Sequence, residues 1–283
     1  MKLKIVLGCA AAVVVATSCS EPGADEAGAK PEGFEGLSGE LDIAGGTAHI
    51  PVMEEAAKRI MKGWPEVKFT IAGGGSGVGA KKVAEGLVDI GYTGRPLSDE
   101  ERAAGGGLES FAFAIDGVAV TVHPDNPVSD LSAAQAKDIF AGTIKNWSQV
   151  GGQDAGINIF TRDEASGTRA VFWKVLLEKG PIAEQANVVA SNGAMEVALS
   201  RDPGAVGYVS MGHVDETVKA IKLDGVAPNR DNATSGAYPV VRKLFMNTKG
   251  KPSGLAEAFI DYVFSAEGAA ICEESGFIPI GAE

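Results

Sequence analysis

From residue 41 onward the apolar residues of this 283-residue chain keep changing period, between the alternation of a strand and the spacing of a helix. That switching restricts the fold more than any other feature. Residues 41–44 read as a short strand, 47–61 as a helix with Ile50, Met53, Ala57 and Ile60 on one face, and 67–72 as a strand. A second helix over 76–86 and a strand over 90–93 complete the pattern. A β-α-β-α-β order implies a parallel sheet with helices on its faces. The run FAFAIDGVAVTVH, 111–123, is long, β-prone and interrupted by Asp116-Gly117, which suits a strand passing from one domain into another. A second α/β unit runs from 131 to about 223, the segment 238–248 is β-prone again, and helical stretches over 253–265 and 267–275 close the chain. The expected architecture is α/β with two lobes, parallel-type sheets flanked by helices, and two crossover segments. Lobe 1 takes residues 38–117 and 240–283, lobe 2 residues 118–239.

One motif recurs at three strand-to-helix junctions: AGGTAH around Thr47, AGGGSGVGA around Ser76 and RDEASGT around Ser166. Each joins strand to helix through glycine or alanine and sets a hydroxyl in the first turn, with Ser166 a natural N-cap. A helix start offers unpaired N–H groups and the positive end of the dipole, so an anion can be held there. In parallel α/β sheets these junctions gather at the carboxyl ends of the strands, where ligands bind. Arg162, four residues before Ser166, would be the charged, bidentate partner. The net charge of −12 and pI near 4.8 argue against nucleic acid and anionic membrane surfaces as partners. An anion must therefore be attracted by local geometry.

Other chemistries find little support. GSGVGA satisfies a dinucleotide fingerprint only as a short pattern in a chain with 38 glycines, and no segment satisfies G-x-x-x-x-G-K-[ST]. His49, His123 and His213 lack metal-ligand spacing, and no serine stands in G-x-S-x-G. Trp64, Trp147 and Trp173 read as core or lobe-packing residues. Neither a cofactor nor a metal is expected, and no histidine or carboxylate cluster suggests catalysis.

The N-terminus carries Lys2 and Lys4, an apolar run over 5–16 too short to span a bilayer, and then Cys19 after Ala16-Thr17-Ser18. This resembles a bacterial lipoprotein signal, residues 1–19, with Cys19 as the lipidated residue. Cys9 is a rival that leaves almost no apolar region ahead of it. Residues 20–37, rich in Glu, Gly, Ala and Pro, read as a flexible tether. Cys272 then has no intramolecular disulfide partner.

Arg162 with Ser166-Gly167-Thr168, GGGSGVG, VDIGYTGRPL and the run DGVAVTVHPDNPVSDLSAAQAKDIFAGTIKNWSQVGG together resemble the phosphate-binding proteins of bacterial phosphate ABC transporters, in the type II periplasmic binding protein family. The resemblance extends from about Gly39 to the C-terminus. It implies capture of inorganic phosphate between two lobes and delivery to a membrane permease, by a lipid-anchored, exported monomer that is not an enzyme. Its implied phosphate ligands are Thr47, Ala48 through its backbone, Ser76, Arg162, Ser166, Gly167 through its backbone, and Thr168, with Glu164 orienting the arginine. The chain departs from the family at Gly94, where some members carry an aspartate that accepts the proton of hydrogen phosphate. Arg95, next to it, becomes a further candidate contact. Asp116, beside a crossing segment, becomes the candidate acceptor. The alternatives are a binding protein for another tetrahedral oxyanion such as sulfate and a secreted phosphatase-like enzyme.

Overall fold

The computed structural model describes residues 30–281. The signal segment with Cys9 and Cys19 and the first part of the expected tether lie outside the described residues. The first half of the chain runs β1 (Gly39–Gly45), α1 (Ile50–Gly63), β2 (Val67–Ala72), α2 (Ser76–Glu85), β3 (Ile90–Thr93), α3 (Asp99–Gly105) and β4 (Leu108–Val122). After β4 come β5 (Asp130–Leu131), α4 (Ala133–Phe140), β6 (Asn158–Arg162), α5 (Gly167–Val175), β7 (Asn187–Val189), α6 (Asn192–Arg201), β8 (Ala205–Ser210), β9 (Lys219–Ala220), β10 (Lys222–Leu223) and α7 (Arg230–Thr234). The chain ends with β11 (Val241–Lys249), α8 (Gly254–Phe264), α9 (Ala266–Glu274) and β12 (Ile278–Pro279).

Local sequence explains several boundaries. A proline in the first turn opens α1, where its missing N–H costs nothing, and Val52, Met53, Ala56, Ala57 and Ile60 bury one face. Reciprocal capping by Ser98 with Glu101 starts α3, and by Ser132 with Gln135 starts α4.

Among the described residues ten strands form one curled sheet in the order β2-β1-β3-β11-β4-β8-β6-β7, with β12 and β9 also paired to β4, and β10 pairs with β5 in a separate two-stranded sheet. Each end is parallel as the alternating pattern requires: β2, β1 and β3 in one half, β8, β6 and β7 in the other. The two crossing strands β4 and β11 run antiparallel between them and put Arg242 directly opposite Asp116. β4 also links the cores. Its Phe113 belongs to a cluster with Ile43, Met53, Tyr92 and Phe259, whereas its Val118 and Val120 belong to one with Phe140, Trp147, Phe172 and Tyr208. A long strand can serve two cores this way because its neighbours change along its length.

The expected tether extends too far along the chain. Phe34 is fully buried in the first core, Leu37 packs against that cluster, and the Pro31 carbonyl accepts a hydrogen bond from Trp64 Nε1 at 2.8 Å. Apolar Phe34 and Leu37 have a surface to cover, and burying them outweighs the freedom of a glycine-rich segment. Among the described residues no helix is long and apolar enough to cross a membrane.

Candidate anion-binding site

The three recurrent junctions converge. Thr47, Ala48, Ser76, Arg162, Ser166, Gly167 and Thr168 all line one pocket, together with Gly46, His49, Gly75, Gly94 and Arg242. The lining residues close in tightly around the site. Thr47 opens a one-turn 3-10 helix after β1, Ser76 begins α2, and Ser166 caps α5. The two sides meet tightly: Gly77 N donates to Ala165 O at 3.0 Å, and a Cβ on Gly167 would run into the Ser76 hydroxyl. No larger residue fits at Gly167 without pushing α2 and α5 apart.

Each of three lining hydroxyls is oriented by an N–H group of the protein. Thr47 Oγ1 accepts from both the backbone N and Nδ2 of Asn192 at 3.2 Å. Ser76 Oγ accepts from Gly94 N at 2.9 Å, and Ser166 Oγ accepts from Arg169 N at 3.2 Å. An oxygen whose lone pairs are engaged by N–H groups presents its own proton outward. All three hydroxyls are thus set to donate.

Arg162, at the end of β6, is 2 % exposed. Its Nε donates to Val189 O at 3.0 Å and its Nη2 to Ala190 O at 2.9 Å, which fixes the plane of the guanidinium. Its Nη1 is buried and has no hydrogen-bond partner among the described residues. Burial pushes the arginine's pKa below its ordinary value, and the like charge of Arg242 adds to the effect. Such a donor is costly to leave unmet. Glu164 does not take the orienting role expected of it. It lies exposed, and two carbonyls do that work instead.

Arg95 also differs from expectation. Its Nη1 and Nη2 each lie 2.7 Å from an oxygen of Glu101, whose carboxylate also caps α3, and Arg95 is not part of the pocket lining. The preformed, partly buried ion pair keeps the guanidinium away from the site. Asp116 is 1 % exposed and has both oxygens engaged: Oδ1 accepts from Met211 N at 3.2 Å, while Oδ2 accepts from Arg242 Nε at 2.8 Å. It stands behind Arg242, outside the pocket lining, so it is no acceptor for a ligand's proton.

Two lining side chains were not foreseen. Arg242 enters from β11, with Nη2 also 2.7 Å from Asp116 Oδ2. Its sequence signal was a charge inside the β-prone run YPVVRKLFMNT, matched by Asp116 inside the other crossing run. His49 is fully buried, stacked on Tyr92 with ring centroids 5.0 Å apart. Its Nδ1 lies 3.0 Å from Gly46 O and its Nε2 3.1 Å from Thr93 O. Burial, and then the charge of Arg242, pull its pKa down to about 3. The ring is therefore neutral at physiological pH. Beyond the lining, His213 Nε2 reaches Thr47 O at 3.1 Å while its Nδ1 sits 2.7 Å from Glu196.

Comparison with known proteins accords with this geometry. A model described as the PBP superfamily domain matches residues 24–267. Phosphate-binding protein PstS of Bacillus subtilis is 35% identical over 283 residues, covering 99% of this chain and 94% of that protein. The chain belongs to the phosphate-binding protein family. Among solved structures, this family member is similar to a putative phosphate ABC transporter substrate-binding protein with bound phosphate from Clostridium perfringens. The TM-score is 0.80 and the identity 33%, over 86% of this chain and all of that one. An ABC-type phosphate transport receptor from Vibrio cholerae gives a TM-score of 0.67 at 32% identity, over 84% of this chain and 99% of that one.

Proposed function

We propose that this family member is an extracytoplasmic solute-binding protein that captures inorganic phosphate between its two lobes and delivers it to the permease of an ABC transporter. The observation that carries the reading is the buried Nη1 of Arg162, without a hydrogen-bond partner among the described residues, at the meeting point of three helix starts. A tetrahedral anion there meets Arg162, the hydroxyls of Thr47, Ser76, Ser166 and Thr168, and the backbone N–H groups of Ala48 and Gly167. Donors on every side and one cation are what a buried dianion needs. The moving bodies are residues 38–117 with 240–283 and residues 118–239, closing as a hinge.

The lining supports binding rather than catalysis. A phosphatase needs a base or nucleophile aimed at the ligand, and both ring nitrogens of His49 are turned to carbonyls. The protein works as a monomer, tethered through a lipid on Cys19. Titration calorimetry should give phosphate binding at micromolar Kd or better, about −8 kcal/mol or beyond. Sustained release of phosphate from an ester would sink the binding reading. Cys19→Ala should free the protein from membranes with its affinity intact, and a wild-type N-terminus without lipid would refute the anchor.

A further inference from the structure

Resting on that reading of the pocket, we propose that Arg242 is a second guanidinium contact for the bound ion, seated by Asp116 and admitted by Gly94, in a donor-only pocket that selects a doubly charged tetrahedral oxyanion.

Three observations converge on Arg242. It lines the same pocket as Arg162, from the opposite lobe. Its direction is fixed from behind, because Nε and Nη2 both lie against Asp116 Oδ2 and the two residues are cross-strand partners. Finally, a Cβ at Gly94 would stand 2.6 Å from Arg242 Nη1 and 3.1 Å from its Cζ. The missing side chain at Gly94 is thus the space the guanidinium occupies. An arginine 7 % exposed in a polar pocket, hydrogen-bonded among the described residues only through Nε, with Nη2 in ion-pair contact with Asp116, has guanidinium N–H donors left for a ligand.

The lining also lacks an acceptor of the usual strength. Among the described residues it contains no carboxylate. Thr47 Oγ1 already accepts two hydrogen bonds, and Ser76 Oγ and Ser166 Oγ accept one each. The neutral His49 donates to one of the two carbonyls it faces and turns its other nitrogen toward the second carbonyl oxygen, and Asp116 has both oxygens occupied. Two guanidinium groups set against the one buried carboxylate leave the site one positive charge in excess. A site built to bind a ligand's hydroxyl rejects an analogue lacking it by about 10⁴ or more, whereas a site of donors alone has no such means. Charge and shape decide, and sulfate shares both with hydrogen phosphate.

The test titrates phosphate, and sulfate in competition, into the full chain and its variants. Arg242→Gln alone strands Asp116 as an unpaired buried charge, so the decisive protein is Asp116→Asn/Arg242→Gln, which keeps a neutral hydrogen-bonded pair. Phosphate affinity should fall at least about 30-fold in the double variant with the unfolding midpoint close to wild type. Arg242→Lys should recover part of that loss. Asp116→Asn alone should weaken phosphate binding even though it removes a negative charge beside the anion; tighter binding would overturn the seating role. Sulfate should displace phosphate with an affinity gap below about 10⁴. A gap at or beyond that value overturns the donor-only pocket, and an unaltered double variant overturns the Arg242 contact. A wild type that fails to bind phosphate at all overturns the underlying reading of the site instead.

Discussion

Asn192, 0 % exposed at the start of α6, holds Thr47 of the other lobe by two hydrogen bonds to the same oxygen, from its backbone N and from Nδ2. The asparagine is itself fixed, since its Oδ1 accepts from Ser210 N at 3.2 Å. Contacts between lobes exist only when the lobes are closed, so they stabilise the closed form without touching the ion. Asn192→Ala should weaken phosphate binding by about 0.5 to 1.5 kcal/mol through the lost side-chain bond. The change should sit in the dissociation rate, read by stopped-flow. A variant that releases phosphate at the wild-type rate removes Asn192 from closure.

Arg162→Ala removes the cation whose Nη1 has no hydrogen-bond partner among the described residues, and should cost at least about 3 kcal/mol of phosphate affinity. Ser76→Ala and Thr168→Ala each delete one hydrogen bond to a charged ligand and should cost about 1.5 to 3 kcal/mol. Calorimetry at one ionic strength gives all three values. Wild-type affinity in Arg162→Ala would place the site elsewhere.

How much of this site could be read from the chain depends on how local each interaction is. Thr47, Ser76 and Ser166 were legible because an anion site at a helix start is written in consecutive residues: strand, small residue, hydroxyl. Arg162 was legible for the same reason, four positions upstream. Its orienting partners were not, because they are main-chain carbonyls of residues 189 and 190, which leave no mark in a sequence, and Glu164 was nearer to hand. Arg242 acts through a strand pairing with Asp116, 126 positions away. Only a charge within each of two apolar runs hinted at it. The fold followed the alternating periods closely, since core-facing stripes are local patterns. The tether misled at Phe34 and Leu37 because average composition hides two apolar residues that have a core to join.

The buried His49 should make stability fall with acidity. Its folded pKa of about 3 lies below its ordinary 6.5, so between those values the unfolded chain binds the extra proton. The stabilisation of the neutral form is complete above pH 6.5 and is lost as pH falls toward 3. In that window the slope approaches about 1.4 kcal/mol per pH unit. Urea unfolding without phosphate at pH 7.5, 6 and 5 should show the wild type losing stability faster than His49→Gln. Parallel losses would show that another group is responsible.

Arg95→Ala should leave phosphate affinity within about twofold, because the residue is committed to Glu101 and its charge is screened from the pocket. Its cost should appear in stability, at about 1 kcal/mol, through the weakened ion pair and the loosened cap at Ser98. Urea midpoints and calorimetry on the same samples separate the two effects. A tenfold loss of affinity would return Arg95 to the site.

Gly94→Ala tests whether the open space at this residue serves Arg242. The backbone there is not in the left-handed region, so alanine is admissible on conformational grounds. What the new methyl meets is the guanidinium, at 2.6 Å from Nη1, and the flexible end of a side chain is the part that will move. Phosphate affinity should drop about tenfold, about 1.4 kcal/mol, with little change in the unfolding midpoint. The same substitution placed in the Asp116→Asn/Arg242→Gln background should have almost no further effect, since the group it displaces is gone. A double-mutant cycle thus reports the coupling directly. Additive losses would mean that Gly94 acts on the pocket by another route, through its N–H to Ser76 Oγ or through the packing of β3.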